Sequence, residues 1–132
     1  KETYIKMLDI AKTISKELAV DTLVSGGAAF ADHVAIDLFY DYLDKTVNKN
    51  KLKLVIYYPT LLLDVSSKIG KSLAYYHKYF SELVYQDKNS SIKDILYLTA
   101  NYSDTVKLEQ EPISNSYAGF FSRNKKIDNH CY

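Results

Sequence analysis

The chain predicts an α/β fold, a parallel sheet flanked by helices, and three observations carry that expectation. Two short apolar runs, residues 21–24 and 52–58, are separated by a segment of helical periodicity. A strand, helix, strand order pairs its strands in parallel through a right-handed crossover. The second run, Leu52-Lys53-Leu54-Val55-Ile56-Tyr57-Tyr58, is almost continuously apolar after Lys53, as a strand covered on both faces is. Between the first run and its helix stands Ser25-Gly26-Gly27-Ala28, a turn that takes two of the chain's four glycines.

The elements follow in order. Residues 3–18 read as an amphipathic helix, with Tyr4, Leu8, Ala11, Ile14 and Leu18 recurring on one face. After the strand at 21–24 and the glycine turn, a helix is expected over 29–45. Ala28, Ala31 and Ala35 keep one of its sides narrow enough to lie close on the sheet. Asn48-Lys49-Asn50-Lys51 is a polar turn into the strand at 52–58, which Pro59 ends. Residues 60–67, with Leu61-Leu62-Leu63, are either a helical turn or an irregular loop. A helix is expected over 71–85 and a polar break over 86–91; residues 92–100 fit a short helix or a strand. Residues 102–112 read as a variable loop, and a last helix spans 114–127, capped by Ser114 or Asn115. No internal repeat or low-complexity tract appears.

A chain of 132 residues is one domain, 1–132, long enough for a buried core. Its net charge of +1 exerts no general pull towards nucleic acid or an anionic membrane, so nucleic acid is not the expected partner, though not excluded, and a membrane is not expected. The longest apolar run is far too short to cross a bilayer, and no signal peptide is visible at Lys1. The single cysteine, Cys131, makes no internal disulfide, and a reducing, cytoplasmic setting is the default. There are 13 tyrosines and no tryptophan. Tyr40, Tyr42, Tyr75, Tyr76 and Tyr79 fall at helical spacings beside aliphatic residues, which points to packing ahead of base stacking.

Ser25-Gly26-Gly27-Ala28 has the anatomy of a phosphate cradle. Adjacent glycines carry no Cβ and admit positive φ, so backbone can approach an anion. A helix opening behind them aims unpaired N–H groups and its positive dipole end at the same place. The alternative is a tight strand-to-helix turn with no ligand.

The longer phrase Ser25-Gly26-Gly27-Ala28-x-x-Ala31-Asp32 resembles the S-G-G-A-x-G-A-D signature of the SLOG superfamily, Rossmann-like nucleotide-binding domains related to DprA and to the LOG-type nucleotide hydrolases. Leu52 to Pro59 resembles that superfamily's middle strand, and Arg123-Asn124-Lys125-Lys126-Ile127 its R-N-x-x-I helix. Phe30 stands where the superfamily has a third glycine. The superfamily's first strand, with its glycine-containing turn, and its last strands have no counterpart. The chain is therefore expected to be a Rossmann-like domain lacking those strands and part of a longer protein.

The resemblance implies binding of a nucleotide or nucleotide-derived ligand, a nucleoside phosphate or an ADP-ribose type, with no cofactor. The backbone N–H groups of Gly26, Gly27 and Ala28 would hold phosphate, and the Ser25 hydroxyl would add a donor. Asp32 either accepts from a ribose hydroxyl or partners the dipole of the first turn. Arg123, the only arginine, offers bidentate, permanently charged recognition of phosphate; without the resemblance it reads as half of a surface ion pair. Asn124 either contacts ligand or fixes the helix. The alternatives are a LOG-type nucleoside 5'-monophosphate N-glycosidase and a DprA-like binder of single-stranded DNA. The hydrolases' P-G-G-x-G-T-x-x-E phrase is absent, which leaves Asp32 as the candidate catalytic carboxylate. His33 reads as a solvated or packing residue, and His77 lies in a tyrosine-rich helix. His130 beside Cys131 lacks the spaced ligands of a zinc site, so no metal is expected. A homo-oligomer is compatible with the resemblance.

Overall fold

A computed structural model describes residues 1–45, 52–114 and 116–130. Helix α1, Glu2–Leu18, leads to strand β1, Thr22–Ser25, then a 3-10 turn, Phe30–His33, and helix α2, Val34–Lys45. Strand β2, Lys53–Tyr58, is followed by helices α3, Lys68–Tyr85, and α4, Ser90–Asn101; strand β3, Val106–Gln110, and helix α5, Ala118–His130, complete the order. All pairing is parallel, in the order β1-β2-β3, with Leu23 opposite Leu54 and Ile56 opposite Leu108. The result is a Rossmann-like α/β arrangement, a three-stranded open sheet among the described residues.

One face of the sheet carries the core. Leu54, Ile56 and Tyr58 alternate along β2 onto that face and pack with Ile36 and Phe39 of α2, Leu73 of α3, and Ile95 and Leu98 of α4. Full burial of an aliphatic or aromatic side chain of this kind contributes roughly 1.5–3 kcal/mol. The odd residues of β2 differ from expectation. Val55 and Tyr57 are only half-buried, so the strand is not sealed equally on both faces. On the Tyr57 side lies the end of α5, where the tyrosine hydroxyl meets His130 Nδ1 at 2.8 Å.

Several boundaries depart from the periodicity. The helix expected over 29–45 is divided, because Phe30 takes a left-handed φ of 60° and the backbone tightens into the 3-10 turn before α2 begins. Residues 60–67 are an irregular loop organised by Asp64, whose carboxylate accepts from Thr60 Oγ1, Ser66 N and Ser66 Oγ. Ser67 then caps α3 by accepting from Gly70 N at 3.0 Å, which starts the helix three residues before the expected 71. Residues 90–101 are helical, with Asp87 accepting from Asn89 N and Ser90 N just ahead of them. The stretch 102–112 is corrected from loop to strand over Val106–Gln110. There Val106 and Leu108 face inward while Lys107 and Glu109 pair across 3.1 Å on the open face. Helix α5 begins at Ala118, four residues after the expected 114, with Ser116 Oγ accepting from Ala118 N. The polar turn at 48–51 and Asn115 as a cap lie outside the described residues.

Helix α1 also corrects its predicted face. It packs on α2 and the 3-10 turn. Tyr4 is buried and Leu8 and Ala11 are half-buried, but Ile14 and Leu18 are exposed, because the second half of the helix turns Lys12, Ser15 and Lys16 towards α2 instead. Left-handed Ala19 ends it, its N–H bonding back to Lys16 O. Among the described residues no helix is long and apolar enough to cross a membrane.

Candidate functional site

The carboxyl ends of β1 and β2 lie side by side, which is where open parallel sheets bind ligands. Ser25, the last residue of β1, is buried. Its hydroxyl donates to Asp32 O at 2.7 Å and accepts from Gly27 N at 3.0 Å, so one side chain knits the turn across residues 25–32. The Ser25 hydroxyl and the Gly27 N–H are therefore both committed within the turn. The 3-10 turn stands between Ala28 and α2, and the dipole of α2 starts at Val34, one turn further on than the sequence suggests.

The two glycines are required for different reasons. Gly27 has φ 77°, and a Cβ there would sit 2.4 Å from Tyr58 Cδ1. Gly26 is needed for space, since a Cβ would lie 1.8 Å from Arg123 Nη1. The group pressed against Gly26 is thus the chain's own guanidinium.

Arg123 arrives from α5, 97 residues away in sequence. One turn before it, Gly119 lets the helix lie directly on Pro59, where a Cβ would fall 2.0 Å from the carbonyl oxygen. From there Arg123 Nη1 donates to Gly26 O at 2.8 Å and to Asp32 Oδ2 at 3.1 Å, with the guanidinium over the Phe120 ring. The same Asp32 oxygen accepts from Ala28 N at 3.4 Å. Arg123 is 8% exposed, and its Nε–H is buried without an acceptor among the described residues. A buried donor left unpaired costs about 1–3 kcal/mol.

Ser25, Gly26, Gly27, Ala28, Asp32 and Arg123 are thereby assembled in one place. Asn124 is not among them: it follows Arg123 by about 100° around α5 and is exposed. Asp32 is paired to the guanidinium, with 37% of its side chain exposed.

His77 belongs to the site's support, and its contact with the glycine turn has no signature in the sequence. It is 1% exposed on α3, with Nε2 2.8 Å from Gly27 O and Nδ1 2.9 Å from Ser91 Oγ. A carbonyl only accepts, so Nε2 carries the proton and Nδ1 accepts from the serine. Burial pushes its pKa down to about 4, against the opposing effect of the Gly27 bond. Ser91 connects onward to Ser81 Oγ at 2.8 Å, so the glycine turn is pinned from below by a buried polar chain. Phe30, in the position expected of a glycine, keeps the left-handed backbone and places its ring 4.9 Å from Phe80 and 6.0 Å from Tyr79.

An apolar cavity lies elsewhere. It has a volume of about 480 Å³ and opens between α1 and α2 near the amino ends of β1 and β2, with Ala19, Leu23, Leu38 and Leu52 in its wall. It is mainly apolar and lacks the convergent donors of the glycine turn. No family model, curated protein or solved structure matches the chain.

Proposed function

We propose that the turn from Ser25 to Asp32, together with Arg123, binds a phosphate group of a nucleotide-derived ligand, a nucleoside phosphate or an ADP-ribose type. The observation that carries this reading is the buried Arg123 guanidinium, held against Gly26 with one N–H unpaired and already engaging an anionic group alongside the Ala28 N–H. The Asp32 carboxylate accepts from two of these donors, Arg123 Nη1 and Ala28 N. A phosphoryl group competes for them with more oxygens and more charge, and the Nε–H supplies a further donor. The position at the carboxyl ends of the parallel strands and the resemblance of the Ser25–Asp32 phrase to the SLOG signature support the same reading.

Binding without turnover is the activity this arrangement favours, because a carboxylate tied to a guanidinium is poorly placed to act as a base. A cytoplasmic setting, with Cys131 reduced, belongs to this reading. The test is thermal stabilisation against nucleoside monophosphates, ADP-ribose, cyclic ADP-ribose isomers and NAD, with chromatography of each mixture for free base. Stabilisation without release is expected. Released base, abolished in Asp32→Asn, would instead make the protein an N-glycosidase. Binding of single-stranded DNA that collapses with salt would make it a nucleic-acid reader.

A further inference from the structure

A second polar cluster joins the 3-10 turn, α2 and α4. His33 and Asp37 are one helical turn apart and leave the same side of the chain, and Asp94 comes from the first turn and a half of α4. His33 is fully buried, which excludes the solvated reading and leaves the packing one. Its ring aims Nε2 at both carboxylates, 3.2 Å from Asp94 Oδ2 and 3.8 Å from Asp37 Oδ1, while Nδ1 is buried with no partner. The other oxygen of Asp37, Oδ2, accepts from the hydroxyls of Tyr4 and Tyr85, which fixes the carboxylate with Oδ1 towards the imidazole.

The charges in this cluster do not balance. Among the described residues His33 is the ion-pair partner of both carboxylates, and one imidazole brings at most a single positive charge.

We propose that His33 Nε2, Asp37 Oδ1 and Asp94 Oδ2 form a site for one first-row divalent transition metal ion, of the zinc and manganese class. The three atoms lie within 4.8 Å of one another. Metal–ligand bonds of about 2.0–2.2 Å bring donor atoms to roughly 3–3.5 Å apart, so the His33–Asp94 spacing of 3.2 Å already fits and the His33–Asp37 spacing of 3.8 Å lies just outside it. The imidazole nitrogen selects this class over calcium and magnesium, which take oxygen sets. Tyr4 and Tyr85 supply the outer hydrogen bonds that orient a ligating carboxylate. With Nε2 on the metal the imidazole carries its proton on Nδ1, which is buried without an acceptor among the described residues, a cost that metal binding must exceed. The side chains of Asp37 and Asp94 are 15% and 24% exposed, which opens the site to solvent on the carboxylate side. An ion there stitches α2 to α4.

Calorimetric titration of the chelator-stripped full chain with Zn²⁺ and Mn²⁺ tests this. A His130→Ala/Cys131→Ser background removes the competing nitrogen and sulfur ligands near the end of the chain. One equivalent is expected in the wild type and in that background, with binding weakened at least about tenfold in Asp94→Asn, which keeps an oxygen acceptor for His33 but loses the charge. Absence of saturable uptake by the wild type, or uptake unaltered by Asp94→Asn, would overturn the proposal. Should Asp94→Asn fail to fold, Mn²⁺ broadening of wild-type NMR signals decides: selective loss of the His33, Asp37 and Asp94 resonances supports the site, and loss centred elsewhere refutes it.

Discussion

Acidification reads out how firmly the glycine turn is pinned. In the unfolded chain the imidazole of His77 takes its proton near 6.5, whereas in the folded protein burial delays this to about 4. Between those values the unfolded state binds more protons, so stability present at neutral pH is lost as pH falls from about 6.5 towards 4. The difference amounts to about 3 kcal/mol at 1.36 kcal/mol for each pH unit, a large share of the 5–15 kcal/mol that holds a typical domain folded. Asp94, whose pKa burial raises, opposes this trend, so the wild type alone is not a clean reporter. The assay is urea unfolding at stepped pH from about 7.5 to 4 on the wild type and on His77→Gln, which keeps a donor for Gly27 O but does not ionise. The wild type should lose about 3 kcal/mol more than the variant across this window. Equal losses in the two proteins, or a His77 ring that titrates near 6.5 by NMR, would refute the reasoning.

The adjacent glycines should separate fold from binding. Gly27→Ala forces a side chain into the left-handed region and against Tyr58, and should cost about 1–3 kcal/mol in urea unfolding. Gly26→Ala meets the ends of the Arg123 and Asp32 side chains, which must swing aside and give up the Arg123 bonds to Gly26 O and Asp32; nucleotide-induced thermal stabilisation should disappear while the fold persists at lower stability. Ser67→Ala removes the cap of α3 and should cost about 1 kcal/mol. The hydrogen bonds from Ser67 and Ser66 hold Asp64 well below the usual carboxylate range, so stability present above its unfolded pKa of about 3.9 is lost as pH falls below it. Asp64→Asn should flatten that lower acid limb.

What could be read in the sequence was local. Leu52 to Tyr58 announces itself as a strand by apolar content, and Ser25-Gly26-Gly27 as a sharp turn by glycine placement, so the parallel pairing and the position of the turn followed from order alone. Strand β3 was hidden because it lies at a sheet edge, where Lys107, Glu109 and Gln110 face solvent and dilute its apolar alternation to Val106 and Leu108. The face of α1 was overread for a different reason: periodicity places Ile14 and Leu18 on the same stripe as Tyr4, but in the second half the side turned to α2 carries Lys12, Ser15 and Lys16. Within the site, the glycines and Arg123 were legible by residue type. Their contact was not, since Arg123 and Gly26 are joined only when α5 seats on Pro59. Neither His77 nor the His33, Asp37, Asp94 cluster has a contiguous signature, because each depends on α3 or α4 packing against residues 50 to 61 positions earlier.

The most direct test of the phosphate site is heteronuclear NMR of the Arg123 Nε–H and the Gly27 and Ala28 amides as a stabilising ligand from the nucleotide panel is added. The Nε–H should move downfield and exchange more slowly as it gains an acceptor, with Ala28 shifting as Asp32 leaves it. A ligand that binds while these signals stay in place and others move, or a panel in which nothing binds, would contradict the assignment of this turn as a phosphate cradle.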